Sequence, residues 1–159
     1  MAIRGSARAL DRLTSELAEP VARLQGGAWS RERLAVLLAR AELRAWRIES
    51  IEGPGLLSGR CPLGSGAVTL AYVGEPVGGG PDIGGYVVGR AIPVARGRWV
   101  LLGRASLVAG DEVAAGFERL LVSLRAPRGE FWRVHGGVIA RAARACARVP
   151  SAPRAILAT

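Results

Sequence analysis

The sequence predicts an α+β fold: a two-layer sandwich with a mostly antiparallel central sheet of about 4–6 strands and about four amphipathic helices. Three observations predict it. Apolar residues recur at helical spacing toward both ends of the chain. Between residues 47 and 102 the texture changes to short β-rich runs punctuated by glycine. Half of the 159 residues are hydrophobic, enough to build a core without disulfides or metal.

The elements follow in chain order. Leu10, Leu13 and Leu17 stand at i, i+3 and i+7, so residues 6–18 read as a helix stopped by Pro20. Residues 21–25 read as a short strand turned by Gly26-Gly27. Ser30 caps a second helix, with Glu32 in its first turn, that runs to Trp46 and buries Leu34, Leu37, Leu38, Ala41 and Ala45. Residues 48–51, 67–73, 86–94 and 98–102 are the candidate strands, and Arg96-Gly97 is the hairpin turn between the last two. The glycine-rich stretches 53–55, 64–66 and 78–85 are loops.

A third helix starts near Asp111, aligns Val113, Phe117, Leu120, Leu121 and Leu124, and ends at Pro127. Residues 131–134 read as a strand, Gly136-Gly137 as its turn and residues 138–149 as the last helix. Residues 1–149 then form a single domain, and the Pro- and Ala-rich residues 150–159 a mobile tail.

The charge is one-sided. Lys+Arg total 22 against 13 Asp+Glu, a formal net charge of +9, and every basic residue is arginine. A surplus of that size suits a polyanionic partner, such as nucleic acid or an acidic protein face. Arginine offers phosphate a planar two-pronged donor that lysine lacks, although a GC-rich genome also replaces lysine with arginine throughout. Placement carries more weight than residue type. At about 100° per residue, Arg33, Arg40, Arg44 and Arg47 fall within about 60° of one another on the second expected helix. Arg141, Arg144 and Arg148 share a face of the last helix, and Arg4, Arg8 and Arg12 one of the first. Like charges at these spacings repel by about a few tenths of a kcal/mol per pair, which bound phosphate would offset. Trp46, beside Arg47 and off the apolar stripe, is the candidate for base stacking, whereas Trp99 and Trp132 read as sheet core.

Signals for chemistry are few. Cys61 and Cys146 lack a neighbouring Cys or His at ligand spacing, so no metal or redox pair is expected, and Cys146 falls on an apolar helix face. The glycine loops lack the Gly-Lys-Ser/Thr of a phosphate loop, and strands follow them where a dinucleotide site needs a helix. His135 with Cys61 or Ser58, and Asp82 with Glu75, are conceivable reactive pairs with nothing to bring them together. No cofactor is implied. Arg4, Arg8, Asp11 and Arg12 interrupt any apolar leader, and the longest apolar run, 67–73, is a strand's length, so a cytoplasmic protein without a membrane partner is expected.

Two stretches resemble a known family. Val21-Ala-Arg-Leu-Gln25 followed by Arg31-Glu-Arg-Leu-Ala-Val-Leu-Leu-Ala-Arg40 is similar to the strand and Glu-led helix of the tRNA-binding small subunit of the KEOPS tRNA-modification complex. Leu56-Leu-Ser-Gly-Arg60 is similar to the start of that family's Leu-Ser-Gly-x-x-Gln-Ile segment, and the Asp111-led helix with a strand at 130–134 suits its C-terminal half. Cys61-Pro62 stands where Gln-Ile belongs, and residues 61–97 have no counterpart. The resemblance implies a non-catalytic subunit that holds tRNA for a partner enzyme.

The expectation is therefore a non-enzymatic RNA-binding protein, an accessory subunit on tRNA, with phosphate held by Arg33, Arg40, Arg44, Arg47, Arg141, Arg144 and Arg148. Two rivals stand beside it: an assembly or scaffold module, including a homo-oligomer, whose basic faces meet acidic partners, and a small-molecule enzyme with a pocket under the Gly78–Gly85 loop.

Overall fold

The structure, a computed structural model, describes residues 31–64, 66–72, 80–109 and 111–147, together with Ser15, Leu17 and Leu24. Its elements are α1 (Arg31–Ala39), β1 (Glu42–Gly53), β2 (Leu56–Arg60), β3 (Ala67–Ala71), β4 (Tyr86–Ala95), β5 (Arg98–Val108), α2 (Asp111–Ser123) and α3 (Phe131–Ala147). The fold is α+β as expected, but the sheet is not one layer of a sandwich. Its five strands close into a barrel in the order β1-β2-β3-β5-β4. Four of the pairings are antiparallel, and β3 with β5 is parallel. The run β4-β1-β2-β3 is a Greek key, which β5 completes.

Closure depends on β1. Its first half pairs with β4, from Glu42 opposite Ala91 to Arg47 opposite Tyr86. Its second half pairs with β2, with register shifts between Ile48 and Ser50 and between Ile51 and Gly53. Extra residues of this kind bend a strand and raise its twist, which lets a sheet of so few strands curl onto itself. The β4–β5 hairpin turns at Arg96-Gly97 as predicted, with Gly97 at φ 68°.

Three apolar clusters hold the barrel. Trp46, Ile48, Leu57, Leu70, Val87 and Leu101 fill its interior. Outside, α2 and α3 bury Ala45, Tyr86, Val88 and Val108 beneath Phe117, Leu121 and Ile139. On another flank, Leu34 of α1 packs with Ile92, Val94 and Val100, joined by Leu17 and Leu24.

Several elements differ from the sequence reading. The second helix ends at Ala39 rather than Trp46, its last turn tightened by Arg40 N–H to the Leu37 carbonyl. Residues 42–46 are strand because both faces of β1 are covered there, Ala45 outward under α3 and Trp46 inward. Leu56–Arg60 is a strand that the sequence reading did not assign. The strand expected at 131–134 and the turn at Gly136-Gly137 are instead the first half of α3. Trp132, Gly136, Ile139 and Ala143 keep helical spacing toward the sheet, and that burial outweighs the cost of about 1 kcal/mol per interior glycine.

The described residues contain three helices of eight or more residues rather than about four. Ser15 and Leu17 are helical, while the rest of the helix expected at 6–18 lies outside the described residues. Leu24 is helical where a strand at 21–25 is expected, and the tail 150–159 is not described. No described helix is long and apolar enough to cross a membrane.

Candidate nucleic-acid interface

Strand alternation sorts the arginines. Successive side chains on a strand point to opposite faces, so Arg44 and Trp46 face inward while Arg47 faces out. The helical stripe expected from Arg33, Arg40, Arg44 and Arg47 therefore does not exist as one surface. Arg33 is exposed on α1, Arg40 on the turn after it, Arg47 on the outside of the barrel, and Arg44 is half-buried at the barrel's mouth. Arg141 and Arg144 are exposed on α3, which packs on β1, β4 and β5; Arg148 lies outside the described residues.

A different basic group forms on the outside of β1, β2 and β3. Arg47 lies directly opposite Arg60, and both are exposed. Beyond Arg60 comes Ala67, and β3 continues into β5 through the pairing of Thr69 with Arg98. The hairpin carrying Arg96 is fixed here too, since Thr69 N–H donates to the Gly97 carbonyl at 2.8 Å. Strands lie about 4.8 Å apart, so Arg47, Arg60, Arg96 and Arg98 make a band across one end of this face. Like charges directly opposite on a sheet are destabilising. Part of the repulsion is met by Glu49, which accepts from Arg60 Nε at 2.9 Å, and Arg98 donates to the Leu24 carbonyl. The sequence reading missed Arg60, Arg96 and Arg98 because only the register of β2, β3 and β5 brings them to Arg47.

Inside the same strands is an aromatic mouth. Trp46, expected to be an exposed stacking residue, is 2 % exposed, because the chain at 46 is an inward strand position rather than a helix face. Its room comes from Gly59: a Cβ there would stand 3.1 Å from Trp46 Cβ and 3.0 Å from the Arg47 carbonyl. Trp99 tilts against Trp46 with ring centroids 5.5 Å apart. The Arg44 guanidinium lies 4.9 Å from the Trp99 ring centre and 5.6 Å from that of Trp132 on α3, and it is ion-paired to Glu42. Burial pushes the Cys61 thiol up, with the nearby Arg44 charge pulling the other way.

His135 Nε2 donates to the Arg125 carbonyl at 2.6 Å, and its ring meets Phe131 edge-on, so it pins the segment before α3. The Asp82 carbonyl closes a turn by accepting from Gly85 N–H, while Glu75 lies outside the described residues. Tyr86 donates its hydroxyl to Glu118 at 2.8 Å; burial, then that hydrogen bond and charge, push its proton loss well above the usual range. Among the described residues no group of His, Cys, Asp or Glu is placed to hold a metal. A surface recess on α2 is lined by Asp111, Glu112, Ala115 and Arg119, with no residue of the loop before β4.

In class, then, this is a closed five-stranded Greek-key barrel with an arginine band outside and an aromatic mouth. Comparison with known proteins finds no matching family model, no matching curated protein and no matching solved structure.

Proposed function

We propose that the chain is a non-enzymatic RNA-binding module that grips phosphates with Arg47, Arg60, Arg96 and Arg98 and presents the RNA to another protein. The observation that carries this reading is the Arg47–Arg60 pair, two exposed arginines directly opposite each other on the outside of β1 and β2. An anion lying across them turns a repulsion into two charge-assisted contacts. The formal charge of +9 adds long-range attraction. The connectivity is also that of OB-type barrels, whose β2–β3 face takes oligonucleotides; this is an analogy at the level of fold. Transfer RNA is the first probe to use, on the resemblance carried by residues 21–40 and 56–60.

The test is tRNA affinity measured over a salt series for the wild type and for Arg47→Ala/Arg60→Ala. Losing two phosphate contacts should weaken binding on the order of tenfold at moderate salt and flatten the log–log salt slope by about 1.4–1.8. Unchanged affinity and slope in the double variant would sink the assignment.

A second reading, an assembly module for an acidic partner or a second copy of the chain, is favoured by the outer face of α3. Val134 and Val138 are exposed there beside Arg141 and Arg144. Light scattering of the purified chain decides whether it self-associates.

A further inference from the structure

We propose that the barrel's mouth stacks one unpaired RNA base on Trp99 and Trp132, with Arg44 as the internal group that holds the place until the base arrives. This rests on the RNA-binding reading and moves its stacking surface away from the buried Trp46.

Three of the chain's four tryptophans meet here. Trp46 is the floor, while Trp99 and Trp132 are only half-buried. Phe131 backs Trp132 edge-on at 5.1 Å, which fixes the indole from behind. The group now over both rings is a planar guanidinium, so the ring faces admit a flat polar group. Its side chain is 29 % exposed and Glu42, its ion-pair partner, 39 %, so neither is locked into the core. Stacking on an indole is at least comparable with a cation–π contact, so a base can take the place of the half-buried Arg44 over the two rings.

The chain connects the mouth with the arginine band. Trp46 precedes Arg47, Cys61 follows Arg60, and Trp99 follows Arg98. Because neighbours on a strand point to opposite faces, strands that present cations outward present the mouth inward. A nucleotide whose phosphate sits on the rim can therefore turn its base over the edge. A base held in a duplex cannot, so unpaired RNA is the preferred ligand.

Binding of a short unstructured oligoribonucleotide, its duplex and inorganic polyphosphate to the intact chain separates the possibilities, read by affinity and tryptophan fluorescence. The single strand should quench the fluorescence, while the duplex and polyphosphate bind without quenching. Trp132→Ala should weaken the single strand on the order of tenfold and leave polyphosphate unchanged, with Trp132→Phe recovering most of the loss. A cooperative urea-unfolding transition in Trp132→Ala reports that the variant is folded. If polyphosphate binds but the single strand neither quenches nor loses affinity in Trp132→Ala, the mouth is not a base site. If none of the three probes binds the wild type, the RNA-binding reading itself falls, and this proposal with it.

Discussion

The barrel's two halves are built from the same strands under different cover. The first part of β1, the first part of β4 and the last part of β5 are buried on both faces, by the interior on one side and by α2 and α3 on the other. The second part of β1 with β2 and β3 has the same interior beneath it but carries Arg47, Glu49, Arg60 and Ala67 exposed on the outside. Double cover makes the first half a foundation whose side chains are judged by packing. The second half is covered outside only at its Leu56–Ala71 end, by the cluster of Leu17, Leu24 and Leu34. Its Arg47–Arg60 end is therefore free to carry charge, and the side chains exposed there are judged by what they can bind.

The widest gap between the halves should appear in stability. Phe117→Ala, which empties the space over Tyr86 at a ring separation of 5.2 Å, should cost about 3–5 kcal/mol in urea unfolding. Ser58→Ala on the bare face should stay within about 0.5 kcal/mol. If both variants lose several kcal/mol, the second half is covered too and the comparison breaks.

A middle-sized effect tests the covered half by its polar bond. Tyr86→Phe removes the hydroxyl that donates to Glu118 and should cost about 1.5–3 kcal/mol near neutral pH. The pH dependence sharpens it. Because burial and Glu118 raise the folded tyrosine's pKa, its contribution is intact below the unfolded value of about 10 and lost as pH rises beyond it. Unfolding of the wild type should therefore lose stability above about pH 10, and Tyr86→Phe should lose less over the same range.

The smallest effect on folding belongs to the bare half. Glu49→Gln breaks an exposed pair with Arg60 and should change stability by less than about 1 kcal/mol. Removing an acid from the arginine band should still raise tRNA affinity, by about two- to threefold at low salt. A loss of affinity would mean that Glu49 positions Arg60 for the ligand.

What was legible in the sequence follows the same division of cover. The β4–β5 hairpin could be read because Arg96-Gly97 separates two β-rich runs, and α2 because Phe117 and Leu121 keep helical spacing. β1 was hidden because Ala45 and Trp46 are consecutive and both buried, which erases the alternation that marks a strand. The helix start at Phe131 was hidden by Gly136 and Gly137, whose weak propensity is overridden by the packing of Gly136 against Leu43. Closure itself has no local signal, since it joins residues 69–71 to residues 98–100 across a long stretch of chain. The candidate site shared that fate. Arg47 is legible as a candidate, but its partners Arg60, Arg96 and Arg98 depend on register, and only the fold places Arg44 between Trp99 on β5 and Trp132 on α3.

The parallel pairing of β3 with β5 has a mechanical consequence. Cut there, the barrel becomes two leaves: a meander of β1, β2 and β3, and a hairpin of β4 and β5. A long hinge joins them along β1 and β4, and a short clasp, Thr69–Ala71 against Arg98–Val100, closes the other side. The clasp is where the molecule should breathe with least effort, and its amides should exchange with solvent before those of the hinge. Arg44 belongs to one leaf and Trp99 to the other. Each loosening of the clasp would thus widen the mouth, and anything seated between the leaves would hold it shut.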